Sequence, residues 1–196
     1  FLTDEGFNNA NTGLQVLGGS GFTTDWPLEQ LVRDGRIARI YEGTNGIQAM
    51  DLVGRKLSLK GGQLVRSLFG VLTGYLKDNP EAPHREELKD AIKCLEEATM
   101  WLASNAPSDP EQAGSAATPY LRLMALTVIG YLWSRMAGVA GQQLEADGIN
   151  KPLLESKQVS ARFYFEKLLP EIHWLLGDIK TGKDSLMAFD DDHWAA

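Results

Sequence analysis

From Gln63 to Ile179 the apolar residues of this chain recur every three or four positions and almost never alternate, so they can be buried only as the faces of α-helices. Ala161, Phe165, Leu168, Ile172, Leu175 and Ile179 keep that spacing over about five turns. Leu121, Met124, Val128, Leu132 and Val139 do the same upstream. Turn formers and prolines punctuate the pattern at Asp78-Asn79-Pro80, at Asn105 to Pro110 and at Asp147 to Pro152. The spacing predicts helices over Gln63–Leu76, His84–Ser104, Pro119–Leu144 and Leu153–Ile179. Four amphipathic helices with short connections read as an antiparallel bundle.

The first third is helical too. Phe7, Ala10, Leu14 and Leu17 form one face of a helix that the glycines from Gly18 should stop. A short helix follows Pro27, through Leu28, Leu31 and Val32. Another runs through Ile47, Met50, Leu52, Val53 and Leu57, with Thr44 or Asn45 as its N-cap. Lys60-Gly61-Gly62 then interrupts the periodicity and marks the expected boundary between residues 1–59 and 60–196. The fold class is therefore all-α, one helical domain followed by a helical bundle.

Composition excludes several roles. At 43% hydrophobic and 23% charged, the 196 residues describe an ordinary globular chain. A net charge of -7 argues against nucleic acid, whose phosphates draw clustered Lys and Arg. No contiguous apolar run approaches the ~18 residues of a membrane span. Phe1-Leu2-Thr3-Asp4 has no signal-like character, which makes the cytoplasm the default location. The chain opens without Met inside a helical pattern, as a piece of a longer protein would. Cys94 can form no internal disulfide and reads as a small packed residue rather than a reactive thiol. His84, His173 and His193 show no metal-ligand spacing with one another or with Cys94, so no metal is assigned. Trp101, Tyr120, Tyr131, Trp133, Phe163, Tyr164, Phe165 and Trp174 fall on helical spacing without interleaved basic residues, which favours bundle core over a stacking platform. Met187, Phe189 and Trp194, in a tail that includes Asp190-Asp191-Asp192, either dock on a neighbour or fray.

One segment looks built for chemistry. Ile40-Tyr41-Glu42-Gly43-Thr44-Asn45-Gly46-Ile47 sets a single carboxylate among apolar and small neighbours just before a helix. Ile40 and Tyr41 can desolvate Glu42, raising its pKa toward the range of a general base, and Gly43 admits a thin ligand. Thr44, Asn45 and Gly46 offer hydroxyl, amide and bare N–H groups at a helix start, where an anionic group is welcome. By itself a Glu-Gly at a helix entry is more often a cap or a solvated charge. Gly18-Gly19-Ser20-Gly21 follows a helix rather than a strand and does not fit a dinucleotide fingerprint.

Ile40, Tyr41, Glu42, Gly43, Thr44, Ile47 and Gln48 reproduce an I-Y-E-G-T-x-x-I-Q signature, and Gln15 to Phe22 and Trp26 to Ile37 extend the match. Residues 1–57 thereby resemble the C-terminal end of the flavin-dependent acyl-CoA dehydrogenases. The remainder is similar to the C-terminal extension of the long bacterial forms, the 3-methylmercaptopropionyl-CoA dehydrogenase-like group. Asp51 to Leu57, Pro119 to Leu123 and Ala161 to Tyr164 carry that part.

The resemblance implies that Glu42 is the catalytic base of an FAD-dependent α,β-dehydrogenation. It implies that Tyr41 and Gly43 lie beside the acyl-CoA thioester and that Thr44, Asn45 and Gly46 contact FAD. Gln15, Val16, Leu17, Gly18 and Gly19 would reach the FAD held mainly by a neighbouring subunit of a homodimer or dimer of dimers. The alternative for these glycines is simple helix termination. Arg33, Asp34 and Arg36 match an R-D-x-R-I run and read as a structural ion-pair network. An electron-transfer flavoprotein would reoxidise the flavin. The domains that hold most of the flavin and thioester in that family are absent from these residues, so the isolated chain should be inactive. An acyl-CoA oxidase and a non-catalytic helical assembly module are the alternatives.

Overall fold

The computed structural model describes residues 1–146, 150–189 and 191–194, so Asp147, Gly148, Ile149 and Asp190 of the predicted breaker and acidic tail lie outside the described residues. All described elements are helical, with no strand among them. The chain forms two compact units, Phe1–Ala49 and Met50–Ala196.

The first unit is a helical hairpin with a following turn. Helix α1 (Leu2–Leu17) ends at Gly18, whose φ of 59 suits glycine. A 3₁₀ turn (Gly18–Phe22) leads to α2 (Leu28–Ile37). The two pack antiparallel, Gly13 lying against Leu28 and Gly35 against Phe7. Arg39 closes the open end in an ion pair with Asp4 at 2.6 Å while its guanidinium lies over the Phe7 ring. The Arg33, Asp34 and Arg36 network is not what forms here. Gln30 donates to Asp34 at 2.7 Å, and Arg36 stacks over Phe7.

The second unit holds α4 (Leu59–Asp78), α5 (Arg85–Asn105), α6 (Pro110–Glu145), α7 (Lys151–Phe163), α8 (Glu171–Thr181) and a short α9 (Asp191–Trp194). Helix α3 (Asn45–Asp51) leads into it through a π turn, Leu52–Lys56, where Asp51 accepts from Arg55 and pairs with Lys56. Lys60, Gly61 and Gly62 take left-handed φ of 51, 62 and 77, so regular helix resumes at Gln63.

Two predicted helices differ from those observed. The helix expected from Pro119 begins at Pro110, because Asp109 caps it by accepting from the Glu111 N–H at 3.1 Å and Pro110 suits the first turn. Its opening turns bury only small residues, Ala113, Ala116 and Ala117, which leave no trace in a pattern of large apolar side chains. The helix expected over Leu153–Ile179 breaks into α7, a π turn (Tyr164–Leu168) and α8. Pro170 causes the break, since it has no N–H to give and its ring crowds the preceding turn. The Leu169 N–H reaches back to the Tyr164 carbonyl instead, at 2.9 Å.

Helix α6 is the axis of this unit. The Thr127 hydroxyl donates to the Leu123 carbonyl at 2.9 Å and lies 3.4 Å from the Ala91 carbonyl of α5. Leu169, Tyr164 and Leu88 close over Gly130, where a Cβ would stand in ordinary contact with them. Gln158 of α7 donates to the Ala137 carbonyl at 2.6 Å, and Arg122 grips Glu171 of α8 with two bonds of 2.6 and 2.8 Å. The 36-residue α6 contains an 18-residue window of mean hydropathy 1.4, long and apolar enough to cross a membrane, which a search for contiguous apolar runs did not reveal. That window is 39% buried, where α5, α7 and α8 pack against it.

The buried phenols are hydrogen-bonded. Thr99 donates to the Leu95 carbonyl, so the Tyr120 hydroxyl, 2.8 Å away, is left to donate to Thr99. Tyr164 donates to the Leu126 carbonyl at 2.7 Å, and Tyr75 meets Ser134, which itself donates to the Pro83 carbonyl. Of the predicted core aromatics, Tyr120, Tyr164 and Phe165 are buried, whereas Phe163 and Trp174 are 56% and 66% exposed. Met187 and Phe189 of the tail are exposed. At the far end Lys183, just after α8, binds Asp109 and Glu111 at the start of α6, and its backbone N–H donates to Gln112.

Burial pushes the Tyr120 phenol up to about 12 from 10.0 and raises Tyr164 as well. A group whose folded pKa is raised stabilises the fold below its unfolded pKa and loses that contribution as pH climbs toward the folded value. The contribution of these phenols should therefore hold up to about pH 10 and fall between about pH 10 and 12, adding to the loss that the Cys94 thiol, raised from 9.0 to about 11 by burial, begins near pH 9. Denaturant melts across that window, in which Tyr120→Phe should make the fall shallower, check this.

Candidate active site

The motif residues all fall in the turn between α2 and α3 and at the end of α1. Thr44 is the N-cap of α3. Its hydroxyl accepts from the Ile47 N–H at 3.3 Å, and its carbonyl accepts from the Gln48 N–H. The Asn45 carboxamide oxygen accepts from the Thr3 hydroxyl at 3.1 Å, which pins the start of α3 to the start of α1. The other end of that amide, Asn45 Nδ2, is buried with no partner among the described residues. A buried donor left without an acceptor is unfavourable, so this N–H₂ is suited to a ligand oxygen.

Glu42 and Gly43 adopt consecutive positive φ, 51 and 89. For Gly43 this costs nothing, whereas for Glu42 the left-handed conformation costs about 1–2 kcal/mol. A Cβ at Gly43 would also come within 3.1 Å of Gln48 Nε2. Strain of this kind collects at functional turns.

The expected desolvation of Glu42 does not occur within this unit. Glu42 is exposed, and Ile40 and Tyr41 are themselves 45% and 54% exposed. The physical reason is that Phe1–Ala49 buries only Gly21 and Ala49. Three short elements cannot enclose a side chain, and Leu2, Val16 and Phe22 present at least 79% of their surface.

Gln15, Val16, Gly18 and Gly19 are exposed, with Leu17 half-buried. The Gln15 carbonyl accepts the capping N–H of Gly18. A Cβ at Gly18 or Gly19 would meet nothing within 4 Å, so only the φ of Gly18 requires glycine and the space above Gly19 is open to a close-approaching group. Gly21, which the motif reading passed over, is the packed one. A Cβ there would sit 2.6 Å from the Leu14 carbonyl oxygen and 2.9 Å from Leu17 Cβ.

The structure does not bring the two predicted cofactor stretches together. Thr44, Asn45 and Gly46 stand at the Thr3 end of α1, and Gln15 to Gly19 at the other. At 1.5 Å per residue they are roughly 20 Å apart along that helix.

In the second unit a cleft of about 980 Å³ opens between the Leu52–Lys56 and Lys60–Gly62 turns and α5, lined by Val53, Leu57, Val65, Phe69 and Met100. Arg66, on the same lining, donates to the Gly61 carbonyl. Cys94 is buried as expected, its thiol pushed up to about 11 by burial and then by Asp90 and Glu97. Contrary to the sequence reading, a histidine does stand beside it: His173 Nδ1 lies 3.8 Å from Cys94 Sγ, across 79 residues of chain.

Two outcomes check this geometry. Gly21→Ala forces backbone against backbone and should destabilise the α1–α2 hairpin by about 1–3 kcal/mol, read as faster hydrogen exchange over residues 14–22. Glu42→Asn suits the left-handed conformation and should leave the thermal midpoint unchanged or raised; a clear fall would mean that the carboxylate itself holds the turn.

Comparison with known proteins fits both halves. Residues 1–57 match the family model described as acyl-CoA dehydrogenase, C-terminal domain, and residues 68–190 match that described as acetyl-CoA dehydrogenase C-terminal like. The chain is 31% identical to the 3-methylmercaptopropionyl-CoA dehydrogenase of Ruegeria pomeroyi over 95% of its own length and 32% of that protein's. It is 27% identical to the broad-specificity linear acyl-CoA dehydrogenase FadE5 of Mycobacterium tuberculosis, over 96% of this chain and 33% of the relative. A butyryl-CoA dehydrogenase of Syntrophomonas wolfei is 25% identical over 94% and 31%. The chain thus spans about a third of the length of the curated relatives it matches. With the Glu42 signature at the turn before α3 and family matches over both helical units, this chain belongs to the acyl-CoA dehydrogenase family and carries its C-terminal helical portion.

Proposed function

We propose that Glu42 is the general base of an acyl-CoA dehydrogenase, removing the α proton of an acyl thioester. The observation that carries this reading is the strained left-handed Glu42-Gly43 turn immediately before the Thr44-capped helix, in a chain whose family oxidises acyl-CoA. Tyr41 and Gly43 flank the thioester on this reading.

FAD is the implied cofactor, and the residues present fit an acceptor-rich group. The unpartnered Asn45 Nδ2 and the amides of Asn45 and Gly46 can donate to it from one side, and the open space over Gly18 and Gly19 admits another such group. When bound, FAD supplies the acceptor for the hydride that leaves the β carbon.

The separation along α1 supports a division of labour between subunits. The Thr44–Gly46 stretch serves the site that contains Glu42, and Gln15 to Gly19 serve the site of a second copy in a homodimer or dimer of dimers. The exposed Ile40, Tyr41 and Glu42 become desolvated when the rest of the enzyme covers them, which brings the carboxylate toward the pKa of an effective base. Taken alone, this chain is then inactive. The intact enzyme works in the cytoplasm and returns its electrons to an electron-transfer flavoprotein.

In the full-length enzyme, Glu42→Gln should keep FAD and thioester binding and lose roughly a thousandfold or more in the rate of flavin reduction, within the ~10²–10⁴ range for an acid-base group. Anaerobic titration with a panel of acyl-CoAs, followed by flavin bleaching, makes the measurement, and near-normal reduction would remove Glu42 from the mechanism. The exposed Leu2, Val16 and Phe22 also favour a second reading, a helical assembly module. A full-length protein that self-associates without flavin would establish that reading instead.

A further inference from the structure

Away from the Glu42 turn, the fold gathers three different donor types at one spot on the α5–α8 interface. A carboxylate oxygen of Asp90, the thiol of Cys94 and a ring nitrogen of His173 all lie within 4.8 Å of one another. Asp90 and Cys94 are four residues apart and share one face of α5. His173 arrives from the first turn of α8.

Its placement is fixed by its neighbours. Arg122 holds Glu171 two residues earlier, Ile172 and Leu175 are each 2% exposed in the core, and Lys180 binds Glu97 at 2.8 Å further along the same interface. The donors thus stand on two rigid helices locked at both ends, as a preorganised site requires. We propose that Asp90, Cys94 and His173 bind a borderline-soft divalent cation of the zinc type, with water completing the coordination.

The chemistry of the donor set selects the metal class. Thiolate plus imidazole suits zinc, cobalt or cadmium, whereas calcium and magnesium take oxygen ligands. Bond lengths of about 2.0–2.3 Å in a tetrahedron put neighbouring ligand atoms about 3.3–3.8 Å apart. The Sγ–Nδ1 separation of 3.8 Å already meets that. The other ligand atoms lie within 4.8 Å of one another, and side-chain rotation of Asp90 and His173, 49% and 60% exposed on their fixed helices, closes that distance.

As it stands, an Asp90 carboxylate oxygen lies 3.1 Å from His173 Nε2, and it turns from that nitrogen to the metal on binding. Binding exchanges the thiol proton for the metal: the S–H bond breaks, the proton passes to water and a metal–sulfur bond forms, without redox change. Lys93 and Lys180 are the opposing charges nearby, and Glu97 partly offsets them.

Cobalt(II) is the probe, titrated into the full 196-residue chain at neutral pH with absorbance followed in the near ultraviolet. A thiolate-to-cobalt band saturating at one ion per chain, displaced by zinc and not by magnesium, is the expected result. His173→Ala, an exposed substitution that leaves the bundle intact by circular dichroism, should remove the band or weaken binding about 10–100-fold. Cys94→Ser should abolish the band outright. Absence of the band in the wild-type chain, or an unchanged band in His173→Ala, would overturn the assignment.

Discussion

Helix α6 packs against α5, α7 and α8 along one face, where small residues stand among large ones. Leu88, Tyr164 and Leu169 converge on Gly130, where a Cβ would already be in ordinary contact with all three, while Ala113, Ala116 and Ala117 let the first turns be buried. A face buried in this way must satisfy every polar group it carries into the interior. Thr127 does so through its own helix and Ser134 through the Pro83 carbonyl. The Leu126 and Ala137 carbonyls each receive a second donor, from Tyr164 and Gln158. Close approach and polar satisfaction are the same constraint, since each hydroxyl or amide reaches its partner only when the helices touch.

How much of this was legible beforehand follows from what periodicity can record. The repeats that end at Leu76 and Ser104 carry large apolar residues, and α4 and α5 end within two residues of them. The first turns of α6 carry alanine and glycine, so their burial had no signature and the helix seemed to begin at Pro119. The π turn at Tyr164–Leu168 preserves an apolar face while shifting its register, which is why a single long helix was a natural reading of that stretch. Pro170 is the residue of that stretch that cannot donate to the preceding turn.

The Glu42 turn was legible for a different reason. Its residues form a signature dense enough to specify a family, and their local geometry follows: the left-handed Glu42-Gly43 pair and the Thr44 cap. Burial of Glu42 was not legible, because it is a property of surroundings rather than of neighbours in sequence. The Gly21 contact with Leu14 and the meeting of Cys94 with His173 were equally hidden, the first because a backbone clash leaves no pattern, the second because it joins distant helices.

The clasp at Lys183 has a kinetic meaning. Its amide reaches Gln112 across 71 residues, and its ammonium reaches the start of α6. Closing so long a loop is entropically costly until the intervening helices have already docked. The clasp therefore belongs to the last steps of assembly, after the barrier, and its influence falls on how long the bundle stays folded rather than on how fast it forms.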